Sequence, residues 1–223
     1  MNKTAKIARP SSDAQPADNI RERLIDVAAR HFAEHGIKGS SQRAIQREVG
    51  VNNSTANYYF GSKDALYRAV VERALSPMQA IRIKGLENLP ANLSRRDGAE
   101  ALMEAYLGAL LRQAATEAGY NYIRIVASLL LVVPDAAAEV IEERLTPVRE
   151  LYVDKLESLY PEASRSRIYE VLRLAVGLTA MAPIRLGKTR LSKATISRLT
   201  HEVVTVSTLA FESLCGAQTQ QAN

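Results

Sequence analysis

The sequence predicts an all-α chain with a small N-terminal three-helix unit and a larger helical region after it. Three observations carry that reading. Apolar residues recur every three or four positions along most of the chain. Leu, Ala, Arg and Glu are abundant, aromatic residues are only 5% and tryptophan is absent, a helix-favouring choice. The longest runs lack Pro and Gly, and no stretch shows the strict alternation of a half-buried strand.

Residues 1–17 carry Pro10, Pro16 and several small polar residues without apolar periodicity, and read as a disordered leader. Its Lys3, Lys6 and Arg9 suit either an unstructured tail or a basic arm. From Ile20, the positions Leu24, Val27, Ala28 and Phe32 form one helical face, and Gly36 ends it. Ser40 or Ser41 caps a short helix whose apolar face is Ile45 and Val49, and Gly50 closes it. Asn52 or Asn53 caps the next helix, to about Tyr59, which Gly61 breaks. Ser62 caps a long helix with Asp64 in its first turn, where the macrodipole favours an acid. That helix reaches about Leu86, with Pro77 as a potential kink. Beyond it the expected helices are 95–117, 120–132, 135–159, 165–185 and 192–214, and 217–223 is a polar tail.

With 223 residues and 47% hydrophobic content, the chain can bury a substantial core. The formal net charge is +5, of which +4 falls on residues 1–73 and +1 on the remainder. That asymmetry suits an anionic partner for the N-terminal third. Cys215 is the only cysteine, so an intrachain disulfide and a cysteine-based metal cluster are excluded. No apolar run is long enough for a membrane span, and the N-terminus lacks the apolar segment of a signal peptide, so a cytoplasmic protein is expected.

The chemistry lies between Ser40 and Lys63. Two short helices meeting at Gly50–Val51 make a helix-turn-helix. The second would expose Asn53, Ser54, Thr55, Asn57 and Tyr58, short hydrogen-bonding groups plus an aromatic ring, as major-groove reading requires. A purely structural helix pair would need the same caps and glycine. The stretch from about Arg21 to Val71 resembles the DNA-binding domain of the tetracycline-repressor (TetR) family. The resemblance rests on HFAEHG at 31–36, Ser40–Ser41, Arg43, Ile45, Gly50–Val51, Thr55 and YYFGSKDAL at 58–66.

The resemblance implies a DNA-binding domain over 18–72 and a ligand-binding and dimerisation domain over 73–216. It implies DNA contacts from Ser41, Gln42, Arg43, Asn52, Asn53, Ser54, Thr55, Asn57, Tyr58, Tyr59 and Lys63, with Arg43 on a base or phosphate and Ser41 and Lys63 on phosphates. Three positions depart from the family pattern: Gln46 stands where a small alanine is usual, Ala56 replaces a larger apolar residue, and Asn57 replaces a tyrosine. These put the operator sequence in question rather than DNA binding.

In the larger region, 168–182 and 196–214 are the most apolar segments. Burying them against a second copy would remove apolar surface worth about 25 cal/mol per Å2. The expected interface residues are Leu172, Ala175, Val176, Thr179, Leu199, Val203, Val206 and Ala210, although burial within one subunit would explain the same pattern. Polar or soft residues on apolar helices are the candidate ligand contacts: Met103, Tyr106, Tyr122, Arg124, Ser128, Thr179 and Met181. Arg124 would meet a carboxylate, pair with a glutamate or reach solvent.

The expected function is thus a dimeric repressor released from a palindromic operator on double-stranded DNA by a small-molecule effector, with no cofactor, metal or membrane partner. A helical interaction adaptor with a degenerate helix-turn-helix is the alternative. An enzyme fits less well, because no nucleophile–base pair or phosphate-cradling glycine loop is recognisable. His31 and His35 stand four apart, but their order is not that of a zinc protease.

Overall fold

The computed structural model describes residues 15–184, 186 and 190–216. Ten α-helices, with no strand among the described residues, run α1 (Gln15–Gly39), α2 (Gln42–Val49), α3 (Asn53–Phe60), α4 (Lys63–Glu87), α5 (Arg95–Arg112), α6 (Glu117–Leu131), α7 (Asp135–Val140), α8 (Thr146–Leu159), α9 (Arg165–Ile184) and α10 (Lys193–Cys215). The fold is the all-α class that the sequence predicts.

The expected leader reaches too far. Residues 1–14 and the tail 217–223 lie outside the described residues, but 15–17 already belong to α1. Gly36 interrupts α1 at φ 65°, and a short helical continuation follows to Gly39. Ser41, Asn52 and Ser62 are the N-caps of α2, α3 and α4, each accepting the backbone N–H three residues on. Gly50 stands at φ 77°, ψ 31°, the left-handed conformation that a side chain would strain.

The helix expected over 135–159 is two helices joined by a π-helical turn, Ile141–Leu145. Pro147 has no N–H, so the carbonyl of Glu143 has no helical donor, and the ladder slips by one residue. The carbonyl of Arg144 is taken instead by the Gln79 side-chain amide, at 3.0 Å. The 95–117 segment similarly ends early, in a single 3-10 turn at Gln113–Ala115.

One apolar core runs through the molecule. Leu24, Ile25, Ala28 and Phe32 of α1 are buried with Ile45, Val49 and Ala56 of α2 and α3 and with Leu66, Tyr67, Val70 and Val71 of α4. The same cluster continues through α5, α8, α9 and α10. The expected boundary at 72/73 therefore falls inside α4, a helix that runs on past Pro77. Packed α6 meets both α1 and α4. Arg73 of α4 pairs with Glu22 and Asp26 of α1 beside Tyr122 of α6, tying three helices together.

Candidate nucleic-acid interface

The turn between α2 and α3 is pinned from below. Ile45 and Val49 fill the apolar contact with α1, and Arg23 of α1 donates from Nη2 to the Val49 carbonyl at 2.9 Å. Val51 N–H returns to the Gln46 carbonyl at 3.0 Å, closing the turn around Gly50. Glu48 of α2 accepts from Arg30 and His31 of α1, and these bonds hold its carboxyl below its usual range. His31 is thereby occupied with Glu48, and no group of three metal-ligating side chains occurs among the described residues.

What remains outward is the polar face of α3 and the start of α2. Ser41, Arg43, Asn52, Asn53, Ser54, Asn57 and Tyr58 are exposed, while Gln42, Thr55, Tyr59 and Lys63 are half-buried. Tyr58 is 84% exposed. Its ring stands edge-to-face with Tyr59 at 5.2 Å. The eleven residues lie on α2, α3 and their flanking caps and the start of α4, with Tyr59 also packed against the core.

Several already have partners. The Ser41 and Asn52 side-chain oxygens cap their helices. The Lys63 ammonium donates to the Ser40 carbonyl at 3.3 Å, bracing the α1–α2 connection, with two N–H groups left for another acceptor. Gln46, which stands where the family pattern has a small alanine, is buried and donates from Nε2 to Asn53 Oδ1 at 3.1 Å. Gln42 reaches Asn57 Oδ1 at 3.5 Å, one turn along both helices. The glutamine that departs from the family pattern thus meets a polar partner across the helix pair. The signal available in sequence was that Gln42 and Gln46, four apart, share a face of α2.

The seven residues expected around a ligand lie on α5, α6 and α9. Met103, Tyr106, Tyr122 and Thr179 are buried, Arg124 is half-buried, and Ser128 and Met181 are exposed. Thr179 Oγ1 donates to the Ala175 carbonyl within its own helix, and Ser128 Oγ to that of Ile125. A groove of about 890 Å3 runs between α5 and α10, lined by Glu100, Glu104, Lys193, Thr200 and His201 among others, and includes none of the seven.

Most of the expected interface residues lie on the inward faces of α9 and α10. Leu172, Ala175, Thr179, Leu199 and Val203 are buried within the subunit, facing its own core, and only Val206 is exposed, with Val176 and Ala210 half-buried. Helical geometry puts Leu174, Leu178 and Met181 of α9 on the outward stripe instead, and they are 66, 43 and 49% exposed. On α10 the outward residues are Val206 and Leu209, 53 and 47% exposed.

Arg82 was missed altogether. It is 1% exposed in the core, its Nε donates to the Tyr106 carbonyl at 3.0 Å, and its guanidinium lies 3.6 Å from the Tyr106 ring centroid. Burial disfavours its charge. The spacing Val71, Leu75, Met78, Arg82 sets it in phase with the core, which was the readable signal.

Comparison with known proteins follows the same division. Residues 24–70 match the family model described as bacterial regulatory proteins, tetR family, and residues 104–206 match a tetracyclin repressor-like C-terminal domain. The transcriptional repressor AcnR of Corynebacterium efficiens is 30% identical over 60 residues, 27% of this chain and 32% of that protein. The repressor NicS of Pseudomonas putida is 34% identical over 59 residues, 26% of this chain and 28% of that protein. The chain therefore spans about a third of the length of the curated relatives it matches.

Solved structures extend the likeness of fold to nearly the whole chain. The ketosteroid regulator KstR2 of Mycobacterium tuberculosis superposes with a TM-score of 0.62 at 18% identity, covering 85% of this chain and 93% of that one. AmtR of Mycobacterium smegmatis gives 0.60 at 19% identity, covering 90% and 88%. With the capped helix pair at one end, the second family match across the helical remainder and this likeness of fold, the chain belongs to the TetR family of bacterial regulatory proteins.

Proposed function

We propose that the chain is a dimeric transcriptional repressor that reads a palindromic DNA operator and is released by a small-molecule effector. The observation that carries this reading is the exposed polar face of α3 beside Arg43, held rigid by three capped helices and the Gln46–Asn53 bond. Asparagine amides suit adenine, a guanidinium suits guanine, and Tyr58 offers a ring for a thymine methyl or the sugar-phosphate backbone. Ser41 and Lys63 stand at the starts of α2 and α4, where free amides favour phosphate.

The outward apolar row Leu174, Leu178, Met181, Val206 and Leu209 supports dimerisation. Two copies packed on this row would form a four-helix interface about a two-fold axis. The two reading helices would then meet half-sites about 34–36 Å apart. Residues 18–72 act as the reading unit and 73–216 as the regulatory unit, joined through α4. The effector acts by favouring one spacing of the reading helices, a coupling of about 1–3 kcal/mol.

Selection of bound duplexes from a random pool at near-physiological salt, with molecular mass measured in parallel, tests the reading. A palindromic consensus bound by two copies is the expected result, and Leu178→Glu should give monomers that lose it. No enrichment by a folded dimer would overturn DNA reading.

A further inference from the structure

Arg82 is the one charged side chain that is buried among the described residues. Its surroundings are neutral. Nη1 reaches Gln79 Oε1 at 3.4 Å, a long contact to an amide whose own nitrogen is committed to the Arg144 carbonyl. Tyr106 lies beneath its guanidinium face, and the Tyr152 hydroxyl donates to the Arg82 carbonyl at 2.8 Å. No carboxylate among the described residues comes within ion-pair distance of it. The contrast with Arg165 is direct, since that half-buried guanidinium has Glu150, Asp154 and Glu157 around it.

A guanidinium does not give up its proton at physiological pH, so this charge persists in the core. Buried charges are ordinarily paired, because attraction to a counter-charge is what offsets lost hydration. The ring below Arg82 and two neutral acceptors offset only part of that loss. The edge carrying Nη1 and Nη2 has the fork geometry that a carboxylate fits with two parallel bonds.

We propose that Arg82 anchors the carboxylate of a small, otherwise apolar acid, which is the effector of this protein. The proposal rests on the regulator reading above and adds the chemical class of the ligand. A single buried guanidinium suits a monoanion rather than a phosphate ester. Apolar walls are at hand. Met78 lies one turn before Arg82 on α4, Met103 lies one turn before Tyr106 on α5, and Leu75 and Leu107 are in phase with them, all fully buried. Methionine is unbranched and soft, so it can yield to an entering ligand without breaking the core.

The same position gives binding a consequence. Arg82 stands on the helix that begins at Lys63, beside the DNA face. Pro77 lies between the two, and having no N–H it leaves the Arg73 carbonyl without its helical donor, so α4 is softened there. A carboxylate drawn to Arg82 competes with the Gln79 and Tyr106 acceptors and moves α4 on the body side of that point.

The test uses the full chain, as wild type, Arg82→Met and Arg82→Lys. Calorimetry and thermal unfolding are run with octanoate, decanoate, benzoate and phenylacetate, each against its neutral alcohol. The expected result is that at least one acid binds the wild type tenfold or more tightly than its alcohol. Arg82→Met should erase that preference, and Arg82→Lys should retain part of it. Without ligand, Arg82→Met should unfold at or above the wild-type temperature, since an apolar side chain of similar length removes an unpaired charge. An acid preference that survives in Arg82→Met, or no preference in the wild type, overturns the proposal. A large drop in unfolding temperature for Arg82→Met with no acid preference would assign Arg82 to packing alone. If Arg82→Met does not fold, Arg82→Gln carries the same comparison. Operator binding by the wild type, measured in parallel, separates the two readings. A chain that binds DNA but prefers no acid overturns this proposal alone, whereas one that binds no DNA overturns the regulator reading.

Discussion

Two buried polar side chains, Gln46 in the helix-turn-helix and Arg82 among the helices beyond it, are treated differently by the fold. Gln46 has a neutral partner of matching chemistry at 3.1 Å, and that partner is itself at the surface. Arg82 has a full charge, a ring and neutral acceptors, and no counter-charge. A polar group that finds its partner locally fixes geometry, as Gln46 does between α2 and α3. A charge left without one costs stability, and proteins retain such costs where function requires them. In the helix-turn-helix the buried polar group is met by a neutral amide, and among the helices beyond it the buried charge is met by a ring and neutral acceptors.

The largest expected effect tests the helix-turn-helix. Ile45 is fully buried under the turn, and Ile45→Ala should cost about 2–5 kcal/mol of stability. Urea unfolding should show a single transition moved down, because α4 carries the same core into the rest of the molecule. A separate early transition would show instead that the DNA-facing helices melt alone. Next is Arg43→Ala, which removes an exposed guanidinium from the proposed reading face. It should weaken operator binding by about 1–3 kcal/mol and relax preference at one base position if the contact is with guanine. Unchanged affinity and unchanged preference would remove Arg43 from the reading face.

A smaller effect probes the glutamine itself. Gln46→Ala deletes the bond to Asn53, and a neutral hydrogen bond contributes about 0.5–1.5 kcal/mol. Stability should fall within that range, because Asn53 is exposed and water replaces the lost donor. Base preference should shift as well, since the Asn53 amide is then free to turn. A stability loss with unaltered base preference would make the bond purely structural. Smaller still, Lys63→Ala should weaken binding to all sequences alike and reduce the salt slope by about one. An unchanged slope would leave Lys63 with its bond to the Ser40 carbonyl as its whole role.

The parts of this molecule that were legible in sequence are those whose chemistry is local. Ser41, Asn52 and Ser62 cap helices because a short side-chain oxygen reaches an amide three residues on, wherever the rest of the chain lies. Gly50 was readable for the same reason. The π turn at Ile141–Leu145 has a local cause in Pro147, but its form was not readable, because one carbonyl in it is satisfied by Gln79, remote in sequence. Which stripe of α9 and α10 faces outward was not readable, because periodicity alone does not say which face the subunit keeps. The candidate ligand contacts rest on residue type, which carries no information on spatial proximity. Arg82 was visible as an in-phase arginine, but its lack of a counter-charge is a property of the packed structure.

The smallest expected effect concerns pH and sits in the helix-turn-helix. Glu48 accepts from Arg30 first and His31 second, and these bonds lower its pKa from an ordinary value of 4.5. A carboxyl whose folded value is depressed contributes stability that is present above its unfolded value and is lost as pH falls through the folded one. Glu48→Gln keeps the shape and removes the charge. The unfolding temperature of the variant should therefore lie below wild type near neutrality, and the gap should close as the pH drops below about 4.5. Arg30 and Glu48 are both partly in solvent, so the gap should also shrink in high salt. A gap that is constant across pH would mean that the carboxylate charge does no work between α1 and α2. The placement of the turn would then rest on Ile45, Val49 and the Arg23 bond to the Val49 carbonyl.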